Sequence, residues 1–377
     1  MVWQDYLNPL SAPSKNTRYR SNQWGNLVER HLPKHFPNLT HTDIALIGVD
    51  TATNIGKHAN QVRNCLYQLY NWDAAMQVAD LGNIKTGANF ADACCCLQEV
   101  CSALIRRAIL PIIIGESHAL CTGQFEGHAE LNASTNVVVF DRKVDLLGNA
   151  QTPDEHSFLY QLLEHKKLGH FVHAAHQRCF LDPQIQQTLE ESDFECYSLG
   201  QMRPLQQEAE PFLRKANMVS FDLSCIRFAD APAVLGASAG GLEAEEAFAL
   251  SRYAGMSNAV HSIGFYGFDA SRDTQQQTAQ LVAQLIWYFT EGFYQRKSEF
   301  PEKDSNNWTR YIVPLKDADH DIVFFKSPKT DRWWMQIPDT RQTQGHVWEP
   351  CSYSDYQVAC HGEIPDRWLK VLMRAGK

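Results

Sequence analysis

Residues 136–145 read NVVVFDRKVD, a short apolar run that ends directly in a cluster of charged side chains. Unalternating runs of Val, Ile and Leu are typical of strands that are covered on both faces. Similar runs recur along the chain at 43–49 (DIALIGV), 75–81 (AMQVADL), 109–114 (ILPIII), 216–221 (ANMVSF) and 261–265 (HSIGF). The pattern predicts a mainly parallel sheet with helices on both sides.

The segments between these runs are predicted to be helices. Residues 92–107 (DACCCLQEVCSALIRR) and 275–293 (QQQTAQLVAQLIWYFTEGF) space their apolar residues at three and four, which indicates one buried stripe on each helix. Strands and helices alternate through about residue 295. We therefore predict an N-terminal arm at 1–40 and a three-layer α/β/α domain at 41–300.

The remaining segment, 301–377, differs in composition. It holds five of the nine tryptophans, namely Trp308, Trp333, Trp334, Trp348 and Trp368. A disordered tail would be poor in aromatic residues. We predict an ordered extension that packs on the core, with a protein-binding surface as the alternative.

The composition excludes several classes of function. A formal net charge of −9 argues against nucleic-acid binding and against attraction to anionic membranes. No apolar run reaches the length of about 20 residues that spans a bilayer, and residues 1–20 lack the pattern of a secretory signal, so a cytoplasmic protein is expected. The eleven cysteines are an odd number, which favours reduced and mostly buried thiols.

Residues that suit a metal ion follow three of the predicted strands. In a parallel sheet, functional groups collect at the carboxyl ends of the strands, and a His with several carboxylates is a ligand set that manganese prefers. The three sets are Glu116, Ser117 and His118; Asp141, Lys143 and Asp145; and Asp222, Ser224 and Asp230.

These motifs, in this order, resemble the ureohydrolase family of arginase, agmatinase and formiminoglutamase. The family motifs GGDHS, DAHxD and SxDxDxxDP correspond here to GESHA at 115–119, DRKVD at 141–145 and SFDLSC at 220–225. The segments VADLGNI (78–84) and TDRWWMQIP (330–338) look like a bacteroidete subgroup usually labelled formimidoylglutamase. The resemblance implies an arginase-like fold and a homo-oligomer.

The resemblance also implies the metal ligands. The first metal site of the family corresponds to His118, Asp141, Asp145 and Asp222, which are all present. The second site shares Asp141 and Asp222, but its other two ligands are replaced by Lys143 and Ser224. A lysine ammonium has no lone pair for a metal ion. We therefore expect at most one divalent ion, manganese by preference, or none, with the Lys143 ammonium in place of the second ion.

Two further positions follow from the same resemblance. The family carries a Glu that binds the planar cation of its substrate, and the matching position in FYGFDA (265–270) is Gly267. His156 lies near the position of a proton-shuttling His in arginase-like enzymes, which suits an imidazole pKa; a surface or helix-capping role is the alternative.

Three weaker candidates remain. His170, His173 and His176 have a spacing of three that suits a metal on a helix, whereas a strand would separate their faces. The glycine-rich segment Gly236–Gly241 is predicted to be a turn that leads into a helix near Glu243, rather than a phosphate loop. Cys225 is predicted to be a buried thiol rather than a nucleophile.

The leading hypothesis is an inactive ureohydrolase-fold protein with a binding, regulatory or assembly role. The alternative is a formimidoylglutamase-like or arginase-like hydrolase of C–N bonds in linear amidines, with one metal and with His156 and Lys143 as catalytic residues. A third hypothesis places a protein partner on the aromatic extension.

Overall fold

The structure is a computed structural model, which describes residues 2–11, 18–50, 57–72, 75–87, 89–146, 158–191, 194–203, 208–301, 307–315, 321–338 and 345–375. In chain order the strands are β1 (Leu7–Asn8), β2 (Glu29–Arg30), β3 (Ile44–Val49), β4 (Val78–Ile84), β5 (Leu110–Gly115), β6 (Thr135–Phe140), β7 (Leu168–His176), β8 (Glu195–Ser198), β9 (Met218–Asp222), β10 (Ser262–Tyr266), β11 (Thr309–Val313), β12 (Ile322–Lys326), β13 (Trp333–Pro338) and β14 (His346–Cys351).

The helix Phe90–Ile105 begins at a capping residue that the sequence supplies. The side chain of Asn89 accepts a hydrogen bond from the backbone N–H of Asp92 at 2.9 Å and so caps this helix. In chain order the helices are α1 (Trp24–Leu27), α2 (Lys57–Leu66), α3 (Phe90–Ile105), α4 (Cys121–Leu131), α5 (Phe158–Leu163), α6 (Pro183–Glu191), α7 (Leu199–Met202), α8 (Ala209–Leu213), α9 (Ala244–Met256), α10 (Gln277–Tyr294), α11 (Tyr353–Cys360) and α12 (Asp366–Ala375).

The central sheet has ten strands within the described residues. Its order is β1-β4-β3-β5-β10-β9-β6-β7-β8, and β2 pairs with β4. The pairs from β4 to β8 are parallel, whereas the edge strand β1 is antiparallel to β4. The prediction of a mainly parallel sheet is confirmed.

All six predicted strands are present, with small shifts at their ends. The largest shift is at the run 75–81, where the strand covers Val78–Ile84. The sequence analysis did not identify β7 or β8, because β7 begins with half-buried polar residues and β8 is only four residues long.

Helices cover both faces of the sheet. On one face, α2, α9 and α10 pack over inward-facing residues such as Ile112, Val219 and Phe265. On the other face, α3, α4 and α5 pack over residues such as Ile113 and Val139. The fold is therefore the three-layer α/β/α arrangement that the sequence predicts.

The C-terminal extension forms a separate antiparallel sheet in the order β11-β12-β13-β14, together with α11 and α12. Its tryptophans Trp308, Trp333, Trp334 and Trp368 are buried in two small apolar clusters. Most of its aromatic surface is thus used within the extension itself, and a protein partner for this region stays a prediction.

The extension is joined to α8 and the residues that follow it. The guanidinium of Arg214 donates hydrogen bonds to the carbonyl oxygens of Trp333 (3.0 Å) and Cys351 (2.8 Å). The ammonium of Lys215 lies 2.8 Å from a carboxylate oxygen of Glu349. These contacts link the extension to the segment around α8, and the predicted division into domains stays a prediction.

Two other expectations concern the whole chain. All eleven cysteines are free thiols, but only five of them are buried, fewer than the sequence analysis expected. Among the described helices there is none whose length and apolarity would suffice for crossing a bilayer.

Candidate metal centre

The order of the central strands brings three separate motifs to one place. The strands β5, β10, β9 and β6 are consecutive neighbours, and all four are parallel. Their carboxyl ends therefore lie side by side at one edge of the sheet. His118 follows β5, Asp141 follows β6, and Asp222 is the last residue of β9.

These three side chains converge on one point. The Nδ1 atom of His118 lies 2.9 Å from Oδ2 of Asp141 and 3.4 Å from Oδ2 of Asp222. One ligand atom from each residue lies within 4.8 Å of the other two. His118 and Asp141 are buried, and the side chain of Asp222 is 15% exposed.

A fourth residue, Ser220, holds the imidazole of His118 in place. The Oγ atom of Ser220 lies 2.8 Å from Nε2 of His118. Ser220 is two residues before Asp222 on β9, so both side chains point to the same face of the sheet. The sequence analysis missed this role, although the i, i+2 spacing within a strand could have indicated it.

Asp145 lies beside the three converging ligands but is not one of them. Its buried carboxyl shares a hydrogen bond with Asp141. Burial, followed by the charge of Asp141, raises the pKa of Asp145 to about 9. The carboxyl of Asp145 is therefore protonated at neutral pH in the absence of a cation, and it donates to Asp141.

The carboxyl groups of this buried cluster resist ionisation. Burial and then the charge of Asp222 raise the pKa of Asp141 well above its usual value. Burial lowers the pKa of His118, so its imidazole is neutral and keeps a lone pair. A divalent ion at this point would stabilise both ionised carboxylates.

The donor set fits a single ion. A metal ion at about 2.0–2.2 Å from nitrogen and carboxylate ligands brings those ligand atoms to the separations found here. With an ion bound at Nδ1 of His118, the ring proton would be on Nε2, which lies 2.8 Å from the hydroxyl oxygen of Ser220 and can donate to it. His118, Asp141 and Asp222 would hold the ion, with Asp145 next to it.

The structure places Lys143 at the edge of this centre. Its backbone N–H donates to Oδ1 of Asp141 at 3.0 Å, and its carbonyl oxygen accepts from Nε2 of His173 at 2.8 Å. Within the described residues, the Lys143 ammonium forms no ion pair with Asp141 or Asp222. The Lys143 ammonium is therefore not found between the two carboxylates, where the sequence analysis expected it. The two hydrogen bonds of Lys143 involve its backbone and not its amine.

Ser224 occupies the position of the other lost ligand. Its backbone N–H donates to Oδ1 of Asp222 at 2.6 Å, and its hydroxyl donates to Oδ1 of Asp141 at 3.3 Å. The Ser224 hydroxyl thus donates directly to the carboxylate of Asp141. An aspartate in place of Ser224 would have no proton to donate and would need a cation between the two carboxylates.

Gly267 follows β10, between His118 and Asp222 in the order of the strands. Its φ of 90° lies in the left-handed region that favours glycine. A Cβ at this position would stand 3.2 Å from Oδ1 of Asp222. The carboxylate of Asp222 therefore lies close against Gly267, and a side chain at this position would meet both a tight contact and an unfavourable backbone conformation.

Among the residues that the structure describes, the three histidines of β7 do not group into a metal site. His170 pairs with Glu195 at 2.7 Å. His173 and His176 lie on one face, with ring centroids 5.8 Å apart, because the strand has a bulge at Ala175, whose φ is 69°. A regular strand would have separated them, as the sequence analysis expected.

The other candidates agree with their structural predictions. Gly236 has a φ of 72°, and the turn leads into α9, whose N-cap is Glu243. Cys225 is fully buried, and burial raises the pKa of its thiol. His156 lies outside the described residues, so its role stays a prediction.

Comparison with known proteins agrees with this geometry. The family model described as "Arginase family" matches residues 48–291, which is more than half of the chain. The chain belongs to the arginase family. No curated protein matches the chain by sequence. The bacteroidete subgroup stays a prediction.

Solved structures of arginase-family proteins are similar in fold. Formiminoglutamase from Trypanosoma cruzi, with Mn²⁺, has a TM-score of 0.66 at 18% identity, over 73% of this chain and 99% of that one. Formimidoylglutamase from Bacillus subtilis has a TM-score of 0.65 at 16% identity, over 76% and 97%. Arginase from Bacillus caldovelox has 0.56 at 18%, over 68% and 100%. At these identities the likeness shows the fold alone.

Proposed function

We propose that this arginase-family chain is a ligand-binding protein that holds at most one divalent metal ion and does not catalyse two-metal hydrolysis. One observation carries the proposal, namely how the oxygens of Asp141 and Asp222 are used. The Oδ2 atoms of both face Nδ1 of His118. The Oδ1 atoms of both accept hydrogen bonds from Ser224.

This division leaves Oδ1 of Asp141 without a lone pair for a second ion. Oδ1 of Asp141 accepts from the backbone N–H of Lys143 and from the hydroxyl of Ser224, so both of its lone pairs are engaged. Lys143 and Ser224, which replace the two lost ligands, therefore both donate to Oδ1 of Asp141. A second ion would have to displace them and would gain no new ligand from either.

The remaining site is suited to one ion. When bound, the ion would supply a Lewis acid that polarises a ligand atom. Ser220 fixes the tautomer of His118, and Asp145 adds a carboxyl beside Asp141. A single ion can orient a ligand at this edge of the sheet, which supports binding without requiring turnover.

The decisive experiment combines metal analysis with an activity assay. Purified protein is loaded with Mn²⁺, desalted and analysed for metal per chain, and is then incubated with arginine, agmatine or formiminoglutamate. We expect no more than one ion per chain and no release of urea, ammonia or formamide. Two ions per chain, or turnover at the rates of an enzyme, would overturn the proposal.

A second candidate function is hydrolysis of the C–N bond of a linear amidine with a single metal ion. The convergence of His118, Asp141 and Asp222 in a largely buried site favours it, because water exclusion strengthens electrostatic effects on a reacting group. This candidate requires stoichiometric metal and measurable turnover that Asp141→Ala abolishes. Asp145→Asn, which keeps the three converging ligands, should retain part of that turnover.

A further inference from the structure

A cavity of about 280 Å³ lies at the end of the central sheet that is opposite to the metal centre. One of its lining residues, Tyr294 on α10, shows where it stands. The Tyr294 hydroxyl accepts a hydrogen bond from the N–H of Gln77 at 2.7 Å and donates to Oδ2 of Asp43 at 3.2 Å. Gln77 and Asp43 directly precede β4 and β3, so the cavity adjoins the amino ends of these strands. The metal ligands, by contrast, stand at the carboxyl ends of their strands.

Most of the wall of this cavity is aromatic. Three tryptophans and a tyrosine line it, namely Trp24, Trp72, Trp287 and Tyr294. Trp72 is 88% exposed and therefore forms the solvent side of the cavity, whereas Trp24 is 1% exposed. Aromatic side chains pack favourably against a planar ring, either offset and stacked or edge to face. The wall thus favours a flat, aromatic ligand.

Two of the lining residues carry buried polar atoms that make no hydrogen bond. They are Nε1 of Trp24 and Oγ1 of Thr290, and neither has a partner in the described part of the chain. Thr290 is 3% exposed. The indole of Trp287 differs, because its Nε1 donates to the carbonyl oxygen of Tyr70 at 2.7 Å. Buried polar groups are costly when they are left unsatisfied, so two of them on one cavity indicate a ligand with polar atoms of its own.

The lining carries no uncompensated charge among its described residues. Glu291 is the one charged residue of the lining. Its carboxylate pairs with the guanidinium of Arg252 at 2.7 Å and accepts from Nε2 of Gln295 at 3.1 Å. An anionic ligand would find no lysine or arginine on this wall. A cationic ligand would find a carboxylate that is already neutralised.

The unpartnered donor argues further against a cation. An alkylammonium ion can lie against aromatic faces, but it has no acceptor for the indole N–H of Trp24. A neutral heteroaromatic ring offers both a face for stacking and a ring nitrogen or carbonyl oxygen as an acceptor.

We propose that this cavity binds a small neutral nitrogen heteroaromatic ring of the nucleobase class. The ring packs against the aromatic wall, accepts a hydrogen bond from Nε1 of Trp24, and exchanges a second hydrogen bond with the hydroxyl of Thr290. The volume lies just below the range of about 300–1,000 Å³ that is typical of pockets for drug-sized ligands, which suits a single base. The inference is independent of the proposed function, because the two sites lie at opposite ends of the sheet.

Four probes test the class of ligand by titration calorimetry on the full chain. Adenine and uracil are the neutral bases, adenosine 5′-monophosphate adds a phosphate, and tetramethylammonium is a cation for an aromatic wall. We expect saturable binding of at least one base in the millimolar range or tighter. The monophosphate should bind no more tightly than adenine, since no cation on the wall awaits the phosphate.

Three outcomes would overturn the proposal. They are a lack of saturable binding by both bases, tighter binding of tetramethylammonium or the monophosphate than of either base, and a base affinity that depends on added Mn²⁺. The last outcome would place the base at the metal centre.

One variant and its matched control test the indole N–H. Trp24→Phe keeps an aromatic ring and removes the donor, and should weaken binding of the base by about tenfold. Trp368→Phe also removes a buried indole N–H that has no partner among the described residues, but it does so in the C-terminal extension. It should leave the affinity unchanged. Equal affinities of Trp24→Phe and the parent protein would rule out the indole as a donor to the ligand.

A second pair of variants tests the hydroxyl. Thr290→Val keeps the shape of the side chain and should weaken binding several-fold, whereas Thr135→Val removes an equally unpartnered buried hydroxyl on β6 and should not. Without ligand, Thr290→Val should be at least as stable to urea as the parent protein, because it removes an unsatisfied buried group. A loss of binding then cannot result from unfolding. Unchanged affinity in Thr290→Val would exclude the hydroxyl from the site.

Trp72→Ala provides a test that does not disturb the core, since Trp72 is largely exposed. It removes one aromatic side of the cavity and should weaken binding of the base by about tenfold. Full affinity in this variant would show that the base binds elsewhere.

Discussion

The hydroxyl oxygen of Ser220 lies 2.8 Å from Nε2 of His118. The opposite nitrogen of the same ring faces the carboxylates of Asp141 and Asp222. A hydrogen bond at one ring nitrogen decides which tautomer the imidazole adopts, and hence whether the other nitrogen offers a lone pair to a metal ion. The buried hydroxyl of Ser220 on β9 therefore affects how readily Nδ1 of His118 binds a metal ion.

The first prediction concerns this hydroxyl. Ser220→Ala should weaken Mn²⁺ binding by about tenfold, because the imidazole loses the acceptor that holds its tautomer and orientation. Titration calorimetry measures the affinity. Ser251→Ala is the matched control, since it also removes a buried hydroxyl, which donates to the carbonyl of Leu285 far from the metal centre. Equal Mn²⁺ affinities of the two variants would contradict the prediction.

The second prediction concerns the lost ligands. The double variant with Lys143→His and Ser224→Asp should bind a second Mn²⁺ ion, because it restores a nitrogen lone pair and a carboxylate next to Asp141 and Asp222. Each single variant should stay at one ion. Metal analysis after desalting gives the count. If the double variant also retains only one ion, something other than these two residues prevents binding of the second.

The third prediction concerns the joint between the α/β domain and the C-terminal extension. The guanidinium of Arg214 is buried, lies 4.2 Å from the ring centroid of Trp334 and pairs with Glu210 at 3.0 Å. Arg214→Ala should reduce the free energy of unfolding by about 2–4 kcal/mol, because two carbonyl oxygens lose a donor and Glu210 keeps only Arg332 of its two cationic partners.

Urea denaturation measures this loss. Arg310→Ala serves as the control, since Arg310 is an exposed residue of β11. Surface substitutions of this kind usually change stability by less than about 0.5 kcal/mol. A similar small change for Arg214→Ala would show that the extension is held by other contacts.

The fourth prediction concerns the pH dependence of stability. Burial, with a smaller effect of His261, lowers the pKa of His128 from its usual value of 6.5 to about 3. The unfolded chain therefore binds one more proton than the folded chain between these two values. The contribution of His128 to stability is complete above pH 6.5 and declines as the pH falls towards 3.

His128→Gln should make the decline with falling pH shallower by up to about 1.4 kcal/mol per pH unit. Urea denaturation at several pH values in the window below the usual histidine pKa measures the slope. Exposed His35 provides the control as His35→Gln, which should leave the slope unchanged. Parallel slopes for the parent protein and His128→Gln would show that His128 does not remain neutral in the folded state.

The arrangement of strands and helices was predictable because it depends on local patterns. Runs such as 109–114 and 137–140 are apolar at every position, as strands buried on both faces must be. The ligands His118, Asp141 and Asp222 were predictable as well, since each one follows or ends such a strand. β7 was missed because its polar start and its bulge at Ala175 hide the period of a strand.

The sequence by itself determined the layered fold, the family and the residue types available to a metal ion, because these follow from periodicity and from short motifs. Only the tertiary structure decided which oxygens of Asp141 and Asp222 remain for a metal ion, and that the hydroxyl of Ser220 meets the imidazole of His118. Such relationships join residues that are far apart in the chain. They depend on strand order and register, which no local segment of the sequence contains.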